Sequence, residues 1–579
     1  MDPGDLEPRD APARNQAPAR FQAPARFRAP ARRHPPSQGP SSLAEKEVTT
    51  MLRVLARLAV PPALAFTLVL VAGQAPASAA YVPISGSGSS WASIAIDQWA
   101  QDIRPNGIVV NYNPDGSAAG RADYMNNQDD FAGSDPPFRN GKDQLGGTGA
   151  EHPHQGYSYI PDTAGGTAFM YHIRVGGHLI RNLRLSGQTI MKIFTGQITN
   201  WDSPVITHDY GARLPNLPIT PVVRSDGSGA TFFFTRWMSH VWPSQWNAFC
   251  HRVHPGISNP CGQTEFYPQF RGVKAENGST NVATYITASY GNGSIGYDEY
   301  AYALNSHYPV VKVLNPAGYF SLPTASNVAV ALTRAVINEN PGSANFLQQN
   351  LDRVYTYRDP RSYPLSSYSY LVVPRNGHPM PTNFSSAKGR SLSTFINFML
   401  CGGQRQMPQL GYSPLPINLV KGGLLQVHHI PGHVATPPLS SLAGCHNPTF
   451  INGKNILLRD APMPSPCDKL GAPLNCVVKN GKAKTPGGGS SNSHGGGNAN
   501  SSGGGSGGGS ASDAAALATG QGAGPTATGQ VTGVVVNLAG NQARQTAMGV
   551  LTAVGIVLAV AVPPALAVWL RRRRGQAHG

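Results

Sequence analysis

Three turns in this chain have the makings of an anion site. Ser85-Gly-Ser-Gly-Ser-Ser-Trp91, Asp115-Gly-Ser-Ala-Ala-Gly-Arg121 and Arg224-Ser-Asp-Gly-Ser-Gly-Ala-Thr231 each put small and hydroxyl residues where a helix would begin. A helix start presents N–H groups that lack intrahelical partners, together with the positive end of the helix dipole. Glycine lets the backbone approach a ligand, and serine adds a donor. One such turn usually does no more than cap its helix. Three in one chain, the last opening on Arg224, point to convergence on a ligand. Arg224 supplies charge-assisted donors, and Asp226 is placed to pair with it and temper its charge.

Covalent chemistry finds less support. No Gly-x-Ser-x-Gly elbow and no His-Glu-x-x-His helix occurs. His152-Pro-His154 and His428-His429 read as loop residues rather than metal ligands. No catalytic residue, metal or cofactor is expected.

The elements that must hold these turns alternate between strand and helix. Ile108–Tyr112, Ala168–Ile173, Ile219–Val223 and Tyr368–Val373 read as strands; stretches around Trp91–Ile103, Leu185–Thr195 and Thr231–His240 read as helices. That alternation over 81–430 argues an α/β body.

Five motifs stand in order along this body: Gly86-Ser-Gly-Ser-Ser-Trp91, Asp130-Phe-Ala-Gly-Ser-Asp-Pro136, Ile193-Phe-Thr-Gly-Gln-Ile-Thr-Asn-Trp201, Arg224-Ser-Asp-Gly-Ser-Gly229 and Gly293-Ser-Ile-Gly-Tyr297. In this the chain resembles the phosphate-binding proteins of bacterial phosphate ABC transporters, within the type 2 periplasmic-binding superfamily. The resemblance covers roughly 81–430. It implies two α/β lobes, each a mixed sheet flanked by helices, joined by two crossover strands and closing on inorganic phosphate.

Carried over by position, the resemblance puts Ser90 and Trp91 in the first phosphate loop and Ser117 at the second helix start. Asp135 falls at the family's buried carboxylate, and Arg224, Ser228, Gly229 and Ala230 form the second lobe's loop, with Asp226 in support. Ala230 stands where the family usually has a hydroxyl residue; its backbone N–H survives, but a side-chain donor is lost. An ionised Asp135 would accept the proton that hydrogen phosphate retains at neutral pH. Against sulfate it would face acceptors only, at a cost of several kcal/mol.

Composition sets the surroundings. The 579 residues include 66 Gly and 51 Pro, only 13% are charged, and the net charge is +16. Much of that charge lies at the chain ends, with no Lys/Arg run interleaved with aromatics between them, so a nucleic-acid partner is not expected. A hexad repeat at residues 15–32 (Phe-Gln-Ala-Pro-Ala-Arg and variants) cannot pack, and 1–50 reads as a disordered leader or, preferably, as translated DNA upstream of a true start at Met51. From Met51 a basic start, an apolar run and small residues through Ala80 form a signal peptide over 51–80.

At the other end, 547–570 is uncharged and long enough to span a bilayer, and Arg571–Arg574 place the tail 571–579 in the cytoplasm. A Gly/Ser-rich tether, 486–545, joins this span to the body. The expected order is therefore lobe 1 (81–168 and 365–430), lobe 2 (169–364), an appendage with three cysteines (431–485), tether and span. All six cysteines lie in the exported part, which favours disulfides. Cys250–Cys261 and Cys467–Cys476 are the local pairings expected.

The overall expectation is an exported, membrane-tethered monomer that hands phosphate to an ABC transporter permease. Two alternatives remain open: a surface receptor or adhesion protein of the same fold with another ligand, and a secreted phosphate-ester hydrolase.

Overall fold

The computed structural model describes residues 81–485 apart from positions 147, 443, 448, 452 and 453. The leader, signal peptide, tether, membrane span and tail lie outside the described residues. Among the described residues no helix is long and apolar enough to cross a membrane.

The first lobe opens with strand β1 (Ile84–Gly88), helix α1 (Ser93–Ile103), strand β2 (Val110–Asn113), helix α2 (Ser117–Met125) and strand β3 (Phe131–Ser134). The long strand β4 (Tyr157–Tyr171) leads into the second lobe. There follow strand β5 (Thr220–Arg224), helix α3 (Gly229–Val241), strand β6 (Lys274–Glu276), helix α4 (Gly278–Thr287) and strand β7 (Ser294–Glu299). The chain returns along strand β8 (Ser366–Pro374) and ends its body with helices α5 (Ser386–Leu400) and α6 (Ile417–Val427).

The eight strands form one sheet in the order β2-β1-β3-β8-β4-β7-β5-β6. β4 and β8 lie antiparallel at its centre and carry the chain between lobes. The first part of β4 pairs with β8, while its last residues, Thr167–Tyr171, pair with β7. The fold is thus the two-lobed α/β arrangement expected, with a mixed sheet in each lobe and helices on its faces.

Nearly all of β4 is buried, as a strand covered on both faces must be. Its apolar pattern is nevertheless broken by Pro161-Asp162 and Gly165-Gly166, which is why only its final residues read as a strand from sequence. Between the pairs Tyr368↔Ala164 and Tyr370↔Pro161 the register shifts, so that Asp162 and Thr163 oppose the single residue Ser369. This bulge lies at the midpoint of the crossover.

Each lobe packs an aromatic core. In the second, Phe169, Phe194, Phe234, Tyr267 and Tyr297 make edge-on, tilted and, for Phe234–Tyr267, stacked contacts at ring separations of 4.8–6.5 Å. Burying a ring such as Phe234 contributes about 1.5–3 kcal/mol.

The segment 431–485 is a strap applied to both lobes. On the first, Val434 N donates to Ser393 Oγ (3.0 Å), and Cys445 is bonded to Cys401 at the end of α5. On the second, Leu470 N donates to Gly318 O (2.9 Å), Lys312 Nζ meets Asp468 Oδ1 (2.6 Å), and the Arg184 guanidinium donates to the carbonyls of Cys467 and Ala472. The disulfides Cys250–Cys261 and Cys467–Cys476 form as expected; the remaining two cysteines make the bond that fixes the strap to the first lobe.

Cys401 and Cys445 are separated by 44 positions, and cross-linking a loop of that size restrains the unfolded chain by about 4 kcal/mol. The double variant Cys401→Ser, Cys445→Ser is expected to melt several degrees lower and to become cleavable by protease within 446–485 before the body is cut. A cleavage pattern unchanged from the parent in limited proteolysis would count against the disulfide as the strap's anchor.

Candidate functional site

The three turns read from the sequence come together. Ala118 N at the start of α2 donates to Gly227 O, in the turn before α3 (3.0 Å). Gly116 has φ 108°, and a Cβ there would come within 2.5 Å of Asp226 Oδ2. The tightest approach is at Gly229, where an added Cβ would lie 1.9 Å from Asp135 Oδ2. Only glycine allows the second lobe's helix to begin against the first lobe's carboxylate.

Asp135 is fully buried just beyond β3. Its Oδ1 accepts from Ser89 Oγ (2.8 Å) and Ser369 Oγ (2.6 Å), and its Oδ2 from Ser117 Oγ (3.3 Å). A carboxylate has about four lone-pair sites, so one acceptor position remains, on Oδ2 facing Gly229. Burial pushes the Asp135 pKa upward, against the three hydroxyls and Arg224, which pull it down.

Arg224 ends β5 and is also buried. Nε donates to Asp226 Oδ1 (2.8 Å), and Nη2 donates to Asp226 Oδ2 and to Ser90 Oγ (2.8 Å). Nη1 donates to Ser279 Oγ (3.1 Å), the second residue of α4. With five donors on a guanidinium, one Nη1 hydrogen is left over. Burial disfavours the charge, but Asp226 outweighs it and holds the Arg224 pKa above its ordinary value.

Ser228 caps α3, its Oγ accepting from Thr231 N (3.4 Å). The amides of Gly229 and Ala230 occupy the first two helical positions, where a helix offers no partner. Thr231 does not replace the hydroxyl missing at Ala230: its Oγ1 is engaged with Tyr297 OH (2.7 Å).

Of the expected residues, Ser117, Asp135, Arg224, Asp226, Ser228, Gly229 and Ala230 are gathered around the contact between the lobes. Ser90 joins them through Arg224 rather than through Asp135. Trp91 sends its ring the other way, edge-on to Tyr412, and a Cβ on Gly165 would lie 2.6 Å both from that ring and from Glu299 Oε1. Only its backbone belongs to the first loop.

Sequence reasoning missed Ser89, Ser279 and Ser369. Ser89 stood inside a quoted motif. Ser279 follows a glycine at a helix start, the same signal as the three turns. Ser369 had no signal, being a hydroxyl within a buried strand.

A buried charge network also bridges the lobes. Arg121 of α2 meets Glu151 (2.9 Å), Glu265 of the second lobe (2.7 Å) and Ser134 Oγ (2.9 Å), and Arg139 meets the same two glutamates (2.9 and 3.1 Å). Glu265 O in turn accepts from Ser228 N (2.9 Å). Removing one member of such a network leaves an unpaired buried charge, at about 3–5 kcal/mol.

What converges is an anion site: N–H and O–H donors, one arginine and a single carboxylate with an acceptor position to spare. Among the described residues no group of three or more His, Cys, Asp or Glu could hold a metal ion.

The profile of a family described as a PBP superfamily domain matches residues 71–402. The phosphate-binding protein PstS of Xylella fastidiosa is 30% identical over 342 residues, covering 59% of this chain and 83% of that protein. The phosphate-binding protein PstS 3 of Mycobacterium tuberculosis is 28% identical over 314 residues, 54% of this chain and 76% of that protein. Among solved structures, the ancestral soluble variant of the human phosphate binding protein has 18% identity and a TM-score of 0.44, covering 65% of this chain and 99% of that one. A phosphate binding protein from Stenotrophomonas maltophilia has 16% identity and a TM-score of 0.40, covering 58% of this chain and 92% of that one.

Asp298, at the end of β7, is buried and has one oxygen without a partner. Burial, only partly offset by Arg224, pushes its pKa from 3.8 to about 6. The folded protein therefore holds a proton at Asp298 that the unfolded chain releases, so this group's contribution to stability is lost as pH rises from about 4 to about 6. Asp298→Asn is expected to reduce that loss in a series of melting curves. Some slope should persist, since half-buried Asp115 titrates in the same window. A slope equal to the parent's would remove Asp298 as its source.

Proposed function

The chain belongs to the PBP superfamily, and from that premise we propose that it captures inorganic phosphate between its two lobes. It is a binding protein and not an enzyme, as its relatives are. The observation that carries the choice of ligand is Asp135. Its carboxylate is saturated by three serine hydroxyls except for one acceptor position, and that position lies against the start of α3. Hydrogen phosphate brings both halves of the match, oxygens for the donors of Arg224 and the helix start and a proton for Asp135. Sulfate brings no proton. The names of the curated relatives support the same ligand.

In this reading Ser90, Arg224, Ser228 and the backbone at Trp91, Ser117, Gly229 and Ala230 donate to the ligand, the Ser117 hydroxyl being held by Asp135, while Asp135 accepts from the ligand and Asp226 orients Arg224. Closure about β4 and β8 would commit the ligand. Export by 51–80, anchoring by 547–570 and a Gly/Ser-rich tether of about sixty residues, reaching on the order of 40 Å, would hold a monomeric receptor outside the membrane. There it would serve an ABC transporter permease.

Two measurements test this. Titration of the full chain should show phosphate binding with sulfate at least tenfold weaker; Asp135→Asn should lose phosphate affinity by about 10–100-fold, the cost of a buried hydrogen bond, and narrow the preference. Preference retained in that variant would remove the proton-acceptor role. For the anchor, the full chain should sediment with membranes and a chain ending at residue 545 should appear in the medium. Sedimentation of both would place the anchor elsewhere.

A further inference from the structure

Away from the contact between the lobes, a cavity of about 340 Å³ opens beside the start of β4, the end of β8 and the helix α6. Its polar lining includes Arg375, Ser158, Gln426, His154 and His378. Arg375 Nη1 donates to Ser158 Oγ (3.3 Å) and Gln426 Oε1 (3.2 Å). A guanidinium has no acceptor, so this contact turns the amide nitrogen of buried Gln426 away from it as a further donor.

Arg375 lacks the carboxylate partner that most enclosed arginines have, and unlike Arg184, whose guanidinium is spent on the carbonyls of Tyr210, Cys467 and Ala472, it keeps donors free. Arg121, Arg139, Arg224, Arg236 and Arg361 each meet a carboxylate. Arg375 meets none among the described residues, and no Asp or Glu lines the cavity. Nε and Nη2 are left without protein partners, and the field is positive enough that Arg375, after burial, helps hold neighbouring His429 below its ordinary pKa. An arginine fork with free donors matches the two oxygens of a carboxylate.

The lining also includes the rings of Tyr157 and Phe346, with Pro153, Pro341 and Ala344. The volume lies at the lower end of small-molecule sites and is far larger than an inorganic oxyanion requires. We propose that this cavity is a second binding site, for a small organic carboxylate with an aromatic body, its carboxylate on Arg375 and Gln426 and its ring against Tyr157 and Phe346. The site is independent of the phosphate reading.

The test uses the full chain, titrated with phenylacetate and with 2-phenylethanol as the uncharged control, with and without saturating inorganic phosphate. Phenylacetate should bind whether or not phosphate is present, and at least tenfold more tightly than the alcohol. Arg375→Gln should weaken it at least tenfold. Because that change also removes the contacts to Ser158 and Gln426, Ala344→Trp serves as a second variant. Ala344 is exposed at the cavity mouth, so the indole should block entry while the melting temperature stays within a few degrees of the parent. Absence of phenylacetate binding, equal binding of the alcohol, competition by phosphate, or undiminished binding in Ala344→Trp would each overturn the proposal.

Discussion

A carboxylate taken wholly out of water must be given donors, or it forces the fold apart or loses its charge. Asp135 is such a group, and the segments that satisfy it determine the rest of the architecture. Its three hydroxyls come from the loop after β1, the start of α2 and the middle of β8. Two belong to the first lobe and the third to a crossover strand. The β4 bulge, where Asp162 and Thr163 face Ser369, sets the local register that delivers this last hydroxyl. The element about which the lobes would move and the buried carboxylate at their contact are therefore joined by a 2.6 Å hydrogen bond.

Charge is handled by pairing rather than by accumulation. Arg224 is matched by Asp226, and Arg121 and Arg139 by Glu151 and Glu265, so no buried cation near the site stands alone. The pull on an anion comes from oriented groups: helix-start amides, serine hydroxyls and the one guanidinium hydrogen left over. Such groups lose no ordering freedom on binding because the fold has already fixed them. This is consistent with a chain whose residues 81–543 carry only a modest excess of basic residues. It also explains the glycines at 116 and 229, since oriented backbone dipoles act only at close range and a Cβ at either position would hold the lobes apart.

Much of the site was legible because its turns are written locally. Gly-Ser stretches ahead of amphipathic helices announce themselves in a few residues, and Arg224-Ser-Asp226 carries its own counter-charge. Ser369 and Glu265 were not legible for the opposite reason. Ser369 reaches Asp135 from 234 positions away, and Glu265 reaches Arg121 from 144. In sequence a hydroxyl inside a buried strand looks like any other small polar residue. The fold shows the same division. α1, α3 and β5 kept their periodicity and were found within a few residues, whereas most of β4 was hidden because a crossover strand needs proline, aspartate and glycine where an ordinary strand would be apolar.

The strap is the least legible part and the one that most alters the mechanics. Its Pro-rich sequence has neither helical nor strand period, and two of its three cysteines bond to each other. Yet it is covalently fixed to the first lobe at Cys401 and held to the second non-covalently, by hydrogen bonds, the Lys312–Asp468 pair and the packing of Leu474 against the core. A partly exposed ion pair contributes about 1 kcal/mol or less, and each neutral hydrogen bond about 0.5–1.5 kcal/mol. Any parting of the lobes about β4 and β8 would then give way first at the non-covalent end rather than at the disulfide. The strap adds a few kcal/mol to the approximation of the lobes, comparable to a substantial part of what a micromolar ligand supplies. A receptor built this way holds its lobes together through contacts remote from the ligand. Its affinity must then be understood from the strap as well as from Asp135.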